Sequence, residues 1–203
     1  MGSLDAGLFD WINHWPQSLH DFLKFFSVAL SLPIVKVGFG ILLIAMLLRN
    51  PTTRKAALLA MVAVGIANTL TNVAKEAFPM NRPFQDRAYV KVADNQREVP
   101  ADRILLRVGY SDSKGTASAH SANMAALALV MVYFLRKWGT PWIAVALLTG
   151  ISRIYTGAHY PSQVMLGWLC GLFAAFVVIK TWEAWTRMRN PVQSESDEPP
   201  ELA

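Results

Sequence analysis

Five long apolar stretches restrict the fold of this 203-residue chain more than any other feature. They lie at about 30–48, 56–78, 117–135, 141–155 and 162–182. Most approach the roughly 20 residues with which a helix crosses the hydrocarbon core of a bilayer. Because a bilayer offers no water to hydrogen-bond the backbone, we interpret these stretches as membrane-spanning helices. The sequence therefore predicts an all-α integral membrane bundle of about five transmembrane helices.

Composition and charge agree with this interpretation. Only 16% of the residues are charged, against about 25% in a typical soluble domain. The net charge is +5, but the basic residues lie at the ends of the apolar stretches and in one loop. That distribution favours anionic lipid headgroups over nucleic acid as partners. The single cysteine, Cys170, cannot form an intrachain disulfide, and we find no pattern of a cleavable signal peptide.

Three regions lie outside the predicted spans. Residues 4–26 alternate polar residues with Trp and Phe, which is typical of an amphipathic helix in the membrane interface; the alternative is a loop that only resembles one. Residues 79–116 form a long loop with both signs of charge, either a cap that faces the substrate or a solvated loop. Residues 190–203 are predicted to be disordered. Residues 1–189 would then form a single membrane-embedded domain.

Polar side chains cluster at the ends of three predicted spans. The clusters are Lys75 with Arg82 and Pro83, then Ser118 with Ala119 and His120, then Ser152 with Arg153 and His159. Counting membrane crossings puts all three on the same side of the bilayer. Short basic turns on the opposite side favour the cytoplasm, so we expect a bacterial inner-membrane protein whose site faces the periplasm.

The second span carries one further polar pattern. Asn68, Asn72 and Lys75 follow one another at helical spacing and therefore share a stripe. Polar groups in a span normally face the interior of the bundle. We predict that this stripe faces inward and leads to the cluster at the end of the helix.

The residue types in the three clusters suit phosphate chemistry. Arg82 and Arg153 can each bind two phosphate oxygens, and Lys75 adds a compact charge. The Ser118 hydroxyl and the backbone N–H groups at the start of the third span, Ala119 included, add donors. One histidine can attack phosphorus while the other protonates the leaving oxygen and later activates water. No metal or other cofactor is needed, because cationic side chains can stabilise the transferred phosphoryl group.

Taken together and in this order, the clusters resemble the motifs of the type-2 phosphatidic acid phosphatase superfamily, which also includes haloperoxidase-like enzymes. The family pattern is Lys-x6-Arg-Pro, Pro-Ser-Gly-His and Ser-Arg-x5-His-x3-Asp, and the matching segments are 75–83, 117–120 and 152–163. The resemblance implies a helical bundle that hydrolyses lipid phosphates or pyrophosphates without a metal. It implies that His159 is the nucleophile and His120 the general acid. The residues that it implies for phosphate binding are Lys75, Arg82, Ser118 and Arg153.

Three positions depart from the family pattern. Gln163 stands where the pattern has the aspartate that orients the nucleophilic histidine. A glutamine can accept a hydrogen bond through its amide oxygen but brings no charge to stabilise an imidazolium. Ala119 replaces the glycine that eases approach of the backbone to phosphate, and Ala117 replaces the proline. We predict that Gln163 belongs to the catalytic group and either slows hydrolysis or suits a specialised reaction.

Several functional hypotheses follow from these residues. The leading one is an enzyme, a membrane lipid phosphatase or pyrophosphatase that works through His159. The alternatives are a lipid phosphotransferase, a protein that binds or transports lipid phosphates with weakened catalysis, and a bundle whose polar residues only satisfy one another. The sequence does not separate undecaprenyl pyrophosphate from phosphatidic acid, phosphatidylglycerophosphate or lipid A as substrates. It does not indicate an oligomeric state.

Overall fold

A computed structural model describes residues 3–29, 32–86, 89–92, 95–100 and 114–189. Within these ranges the chain forms eight α-helices and one antiparallel hairpin of two strands. The helices are α1 (Ser3–Asn13), α2 (His20–Val28), α3 (Pro33–Arg49), α4 (Pro51–Ala77), α5 (Pro83–Asp86), α6 (Ala119–Leu135), α7 (Pro141–Tyr155) and α8 (Pro161–Arg189). The strands are β1 (Tyr89–Val92) and β2 (Asn95–Pro100).

The core of the bundle lies between α4, α6 and α8 and is built from small side chains. On α4, Ala56, Ala60, Ala63 and Ala67 are buried and recur at helical spacing, so they form one stripe along the helix. The stripe packs against small and branched residues of the two other helices: Ala122, Ala126, Val130, Ala174, Ala175 and Val178. Such small residues let membrane helices approach closely, and close packing supplies the attraction that apolar burial cannot provide in lipid.

Two glycines of α8 set how close that helix comes to α6. A Cβ at Gly167 would lie 2.5 Å from the backbone oxygen of Ser118, and a Cβ at Gly171 would lie 2.1 Å from that of Ala122. Any side chain at these positions would force the helices apart. Because the contact occurs at the N-terminal ends of both helices, it brings Ser118 beside Gln163, where the Ser118 N–H donates to the Gln163 backbone oxygen at 2.9 Å.

The predicted membrane bundle is confirmed, and the chain is an integral membrane protein. All five predicted spans form helices, and three stretches are each long and apolar enough to cross a bilayer: Pro51–Ala77, Ala119–Trp138 and Pro161–Arg189. A fourth candidate combines the bent pair of Gln17–Val28 and Pro33–Arg49. Helix α7 is apolar but has only 15 residues. The last helix continues seven residues beyond its predicted end at 182, to Arg189.

The N-terminal region is not the single helix predicted for residues 4–26. It divides into α1, a short 3-10 turn at Gln17–Leu19 and α2. Pro16 accounts for the break, because proline lacks a backbone N–H and disfavours helical geometry in the residue before it. Both helices pack on α7: Phe9 and Leu23 are buried, and the Asn13 side chain donates a hydrogen bond to the backbone oxygen of Tyr155 at 2.8 Å.

The region predicted as one long loop, 79–116, contains secondary structure that the prediction missed. Helix α5 and the hairpin lie inside it, and the β-branched Val90, Val92 and Val99 favour strands there. The two ends of the region are joined, since the Gly115 N–H donates to the Met80 backbone oxygen at 2.7 Å. Residues 87–88, 93–94 and 101–113 lie outside the described residues, as does the predicted tail at 190–203.

The predicted inward polar stripe on α4 was wrong for two of its three members. Asn68 and Asn72 are exposed on the outside of the bundle, while Lys75 is half-buried. The alanine stripe of the same helix explains the difference. It occupies the face toward α6 and α8, so the asparagines are turned away from that contact.

Candidate active site

The polar clusters predicted from the sequence meet at one end of the bundle. Three hydrogen bonds connect them: Ser118 N–H to the Gln163 backbone oxygen at 2.9 Å, His159 Nδ1 to the Gly115 oxygen at 3.2 Å, and Gln163 Nε2 to the Asn81 oxygen at 2.7 Å. The same end of the bundle contains Lys75, Arg82 and Arg153, whose positive charges are close enough to influence one another. Three separate stretches of the chain therefore build one cationic site.

His159 lies in the turn between α7 and α8 and is almost completely buried, with 2% of its surface exposed. Its Nδ1 is 3.2 Å from the backbone oxygen of Gly115 and 3.2 Å from Oε1 of Gln163. Both neighbours are acceptors, so Nδ1 must carry the proton and donate it. The lone pair of the neutral ring is then on Nε2, the atom available to attack an electrophile.

The amide orientation of Gln163 is fixed by its neighbours. Its Oε1 accepts the backbone N–H of Tyr160 at 3.2 Å, and its Nε2 donates to the backbone oxygen of Asn81 at 2.7 Å. A backbone N–H can only donate and a backbone oxygen can only accept, so the opposite orientation would lose both bonds. Gln163 is 1% exposed and presents its amide oxygen to His159.

The two arginines are buried beside this histidine, with 6% of Arg82 and 4% of Arg153 exposed. Arg153 Nη1 donates to the hydroxyl of Ser27 at 2.9 Å and to its backbone oxygen at 3.2 Å. Ser27 belongs to α2 and also shares a hydrogen bond with Thr156 at 3.0 Å. The guanidinium of Arg82 lies 6.0 Å from the ring centre of Phe84, within cation–π range.

Burial and charge keep His159 neutral. Burial is the main cause that holds the pKa of His159 well below its usual 6.5, and the positive charges of Arg82 and Arg153 lower it further. The hydrogen bonds to Gln163 and Gly115 raise this pKa, but they do not offset the other effects. At neutral pH the ring is therefore unprotonated at Nε2 and can act as a nucleophile.

His120 and Ser118 lie at the start of α6. His120 is half-buried, and the charges of Arg153, Arg82 and Lys75 all act on it. Ser118 is fully buried and caps the helix: its hydroxyl oxygen accepts the Ser121 N–H at 3.4 Å and the Ser121 hydroxyl at 2.9 Å. Both bonds use the oxygen as acceptor, so the Ser118 proton is left to donate. The first backbone N–H groups of α6, including that of half-buried Ala119, have no acceptor within the helix.

Sequence reasoning missed three residues that hold the site together. Ser27 supports Arg153 from outside all three motifs, and the backbone oxygens of Asn81 and Gly115 hold Gln163 and His159. A backbone oxygen leaves no signature in a sequence. Gly115 alone gave a usable signal, as a glycine three residues before Ser118. No cluster of three His, Cys, Asp or Glu side chains that could hold a metal occurs among the described residues.

Comparison with known proteins gives a consistent result. The sequence model of the PAP2 superfamily matches residues 56–187. The chain is 29% identical over 136 residues to an undecaprenyl-diphosphatase from Sulfolobus acidocaldarius, which covers 67% of this chain and 60% of that protein. It is 26% identical over 145 residues to the undecaprenyl-diphosphatase BcrC of Bacillus subtilis, covering 71% of this chain and 67% of that one.

A solved structure supports the fold. The crystal structure of Aquifex aeolicus LpxE superimposes with a TM-score of 0.68 at 21% identity, covering 88% of this chain and 96% of that one. The chain spans about two thirds or less of the length of the curated relatives that it matches. All of α1 to α3 lies before the matched region, although α2 supplies Ser27 to the site.

Proposed function

The chain belongs to the PAP2 superfamily, and from that membership we propose that it is a membrane enzyme that hydrolyses a lipid phosphate or pyrophosphate through a phosphohistidine on His159. The observation that carries the proposal is the state of this ring. Nδ1 is held by two acceptors, and the buried ring is neutral, so Nε2 is directed and ready to react.

In the proposed reaction, Lys75, Arg82 and Arg153 bind the phosphate oxygens and offset the charge of the transition state. Nε2 of His159 attacks phosphorus, and the bond from phosphorus to the leaving oxygen breaks while His120, which enters this step as the imidazolium, donates a proton to that oxygen. His120 then takes a proton from water, the water oxygen attacks phosphorus and the bond between phosphorus and nitrogen breaks. Inorganic phosphate leaves, and both histidines return to their starting states.

Phosphate recognition in this scheme also uses the start of α6. The Ser118 hydroxyl and the N–H of Ala119 would donate to the phosphate oxygens, with the N-terminal end of the helix dipole adding a favourable potential. Gln163 would stay neutral and keep the Nδ1 proton on His159. The cationic side chains supply the charge that a metal supplies elsewhere, so the scheme uses no cofactor.

For the substrate we propose an isoprenoid pyrophosphate ahead of a phosphatidic-acid-type lipid. Two relatives are named undecaprenyl-diphosphatases, which supports this order. The apolar helices around the site fit a headgroup that enters from the bilayer with its tail still in the membrane. The basic turns at the opposite end include Arg49, Arg136 and Lys137, which supports a site on the periplasmic side of a bacterial inner membrane.

The test is a panel of lipids assayed with the purified full chain in detergent and in excess EDTA. Undecaprenyl pyrophosphate, phosphatidic acid, phosphatidylglycerophosphate and lipid A are compared by release of inorganic phosphate. We expect release to persist in EDTA and to fall by a factor on the order of 10⁵ in His159→Ala, because the covalent route is lost. His14→Ala is the matched control, since His14 is exposed outside the site.

Two results would reject this mechanism: activity that needs a divalent metal, or full activity in His159→Ala.

The absence of charge at Gln163 favours one second candidate, transfer of the phosphoryl group to another lipid instead of water. Substrate labelled in its terminal phosphate separates the two reactions. Label in free phosphate supports hydrolysis, and label in a second lipid supports transfer.

A further inference from the structure

We propose that Gln163 is a positioning residue that fixes Arg82 and His159 relative to one another, in a site built for an amide and not for the carboxylate of the family pattern. This inference rests on the proposed function, because it concerns the same site. Its basis is the hydrogen-bonding geometry around one side chain, which is 1% exposed.

Gln163 contacts all three motif segments. Its amide nitrogen donates to the Asn81 backbone oxygen at 2.7 Å, directly before Arg82. Its amide oxygen accepts from His159 Nδ1 at 3.2 Å, and its backbone oxygen accepts the Ser118 N–H at 2.9 Å. A single residue therefore connects the phosphate-binding turn, the nucleophile and the start of α6.

A carboxylate could make only part of this set of bonds. It can accept from His159 and from the Tyr160 N–H, but it has no hydrogen to donate to Asn81. One of its oxygens would instead face the Asn81 backbone oxygen, and two acceptors in a buried site repel. An aspartate is also one methylene shorter than glutamine, so it could not span from His159 to Asn81 without a backbone shift.

Gly115 provides the space for this amide. A Cβ at Gly115 would lie 2.8 Å from Gln163 Oε1, 2.9 Å from Gln163 Nε2 and 2.8 Å from Cγ of Arg82. The Gly115 backbone oxygen is at the same time an acceptor for His159 Nδ1. The glutamine, the glycine and Arg82 therefore pack as one unit, and the glycine is required because two of the site's side chains lie against it.

The consequence for function is that Gln163 should affect phosphate binding as well as the chemical step. Asn81 is directly bonded to Arg82 in the chain, so losing the bond from Gln163 removes one of the hydrogen bonds that hold the turn presenting this guanidinium. The bonds from Gly115 N–H to Met80 and from Arg82 N–H to Gln85 remain. A residue that served only His159 would change kcat and leave phosphate affinity unchanged. The two roles can therefore be separated by measurement.

The experiment compares Gln163→Glu and Gln163→Asp with the wild-type chain in detergent. Binding of inorganic phosphate is measured by calorimetry, and kcat and KM are measured with the lipid substrate. We expect both variants to bind phosphate at least about tenfold more weakly and to raise KM. Gln163→Glu replaces a hydrogen bond with a buried pair of acceptors, and the shorter side chain of Gln163→Asp does not reach Asn81. Gln17→Glu is the charge-matched control, since Gln17 is exposed in the turn before α2.

A pH series tests the same point in a way that a misfolded variant could not reproduce. A protonated glutamic acid has one hydrogen to donate to Asn81, as the amide has. The affinity ratio between Gln163→Glu and wild type should therefore approach one as the pH falls. A ratio that does not change with pH would show that the bond to Asn81 does not control affinity, and would overturn the proposal.

Gly115→Ala is the independent variant. Its methyl group would displace the Gln163 amide and Arg82, so we expect the same loss of phosphate affinity. Gly65→Ala is its control, because nothing lies within 4 Å of a Cβ at Gly65. Unchanged phosphate affinity in Gly115→Ala, in a chain that folds as wild type does, would contradict the packing argument.

Failure of this inference can be distinguished from failure of the proposed function. If wild type releases phosphate from lipids and Gln163→Asp raises kcat with KM unchanged, the site prefers a carboxylate and only the positioning role is wrong. If wild type binds phosphate but hydrolyses no lipid, and Gln163→Glu weakens that binding, the positioning role stands while the proposed function fails.

Discussion

The two histidines of the site occupy contrasting surroundings. His159 is almost fully buried, and the Gly115 and Gln163 oxygens hold its Nδ1. His120 is half-buried at the start of α6, and no described residue hydrogen-bonds its ring. Both lie under the influence of the same arginines. The two rings therefore differ in access and fixation, while the same positive side chains act on both.

This contrast indicates how the two rings can share a reaction. A nucleophile must be aimed, and its surroundings can exclude water until the substrate arrives. A group that protonates a leaving oxygen and later activates water must reach both, so it needs exposure and freedom to rotate. The buried ring suits the first role and the accessible ring the second. The predictions below test this division, beginning with the largest effect.

Replacing His120, the more accessible of the two histidines, should slow the reaction without removing the nucleophile. For His120→Ala we expect kcat to fall by about 10²- to 10⁴-fold, as for loss of a general acid. The loss in the rate of phosphohistidine formation should shrink with an aryl phosphate whose leaving group needs little protonation, and the phosphohistidine should accumulate because water is no longer activated. Acid-quench trapping of labelled protein measures this. Equal losses for both types of leaving group would assign His120 to phosphate binding instead.

The fold and the site differed in how much of each could be predicted. The spans were predictable because hydrophobic length is a property of each stretch alone, and the order of the clusters put Lys75, His120 and His159 at one end. Aromatic spacing and mixed charge predict one helix at 4–26 and one loop at 79–116, whereas Pro16 and the β-branched residues determine the break and the hairpin that form there. The outward position of Asn68 could not be predicted, since it depends on which face the alanines of α4 occupy.

The supporting contacts of the site were harder still to predict. Arg153 was identified from its motif, yet its partner Ser27 lies 126 residues away in a segment without any motif. Asn81 and Gly115 act through backbone oxygens, which are the same for every residue type. Only a folded chain reveals such bonds, because they depend on which turns come together and not on which side chains are present.

Removing the hydrogen bond between Ser27 of α2 and Arg153 should have an effect of intermediate size on phosphate affinity. Ser27→Ala removes a hydroxyl that accepts from the guanidinium at 2.9 Å, so we expect phosphate affinity to fall about tenfold, in line with the loss of a charged hydrogen bond. Ser27→Thr keeps the hydroxyl and should restore affinity. Ser18→Ala, at an exposed position nearby, is the control. Isotherms with inorganic phosphate decide the question, and wild-type affinity in Ser27→Ala would mean that Arg153 needs no support from α2.

The smallest effect concerns stability, and it follows from the burial that separates the two rings. Burial, with Arg82 and Arg153, holds the pKa of His159 below the 6.5 of an unfolded chain, so the unfolded state binds more protons as the pH falls below that value. The stability that the neutral ring contributes is therefore complete above pH 6.5 and is lost progressively as the pH falls toward the pKa of the folded state.

Thermal unfolding in detergent between pH 7.5 and about 5 should show this loss in wild type. In His159→Gln, which cannot titrate, the slope should be shallower than in wild type. Identical slopes in the two chains would mean that the ring of His159 is solvated, and the contrast between the two histidines would then lose its physical basis.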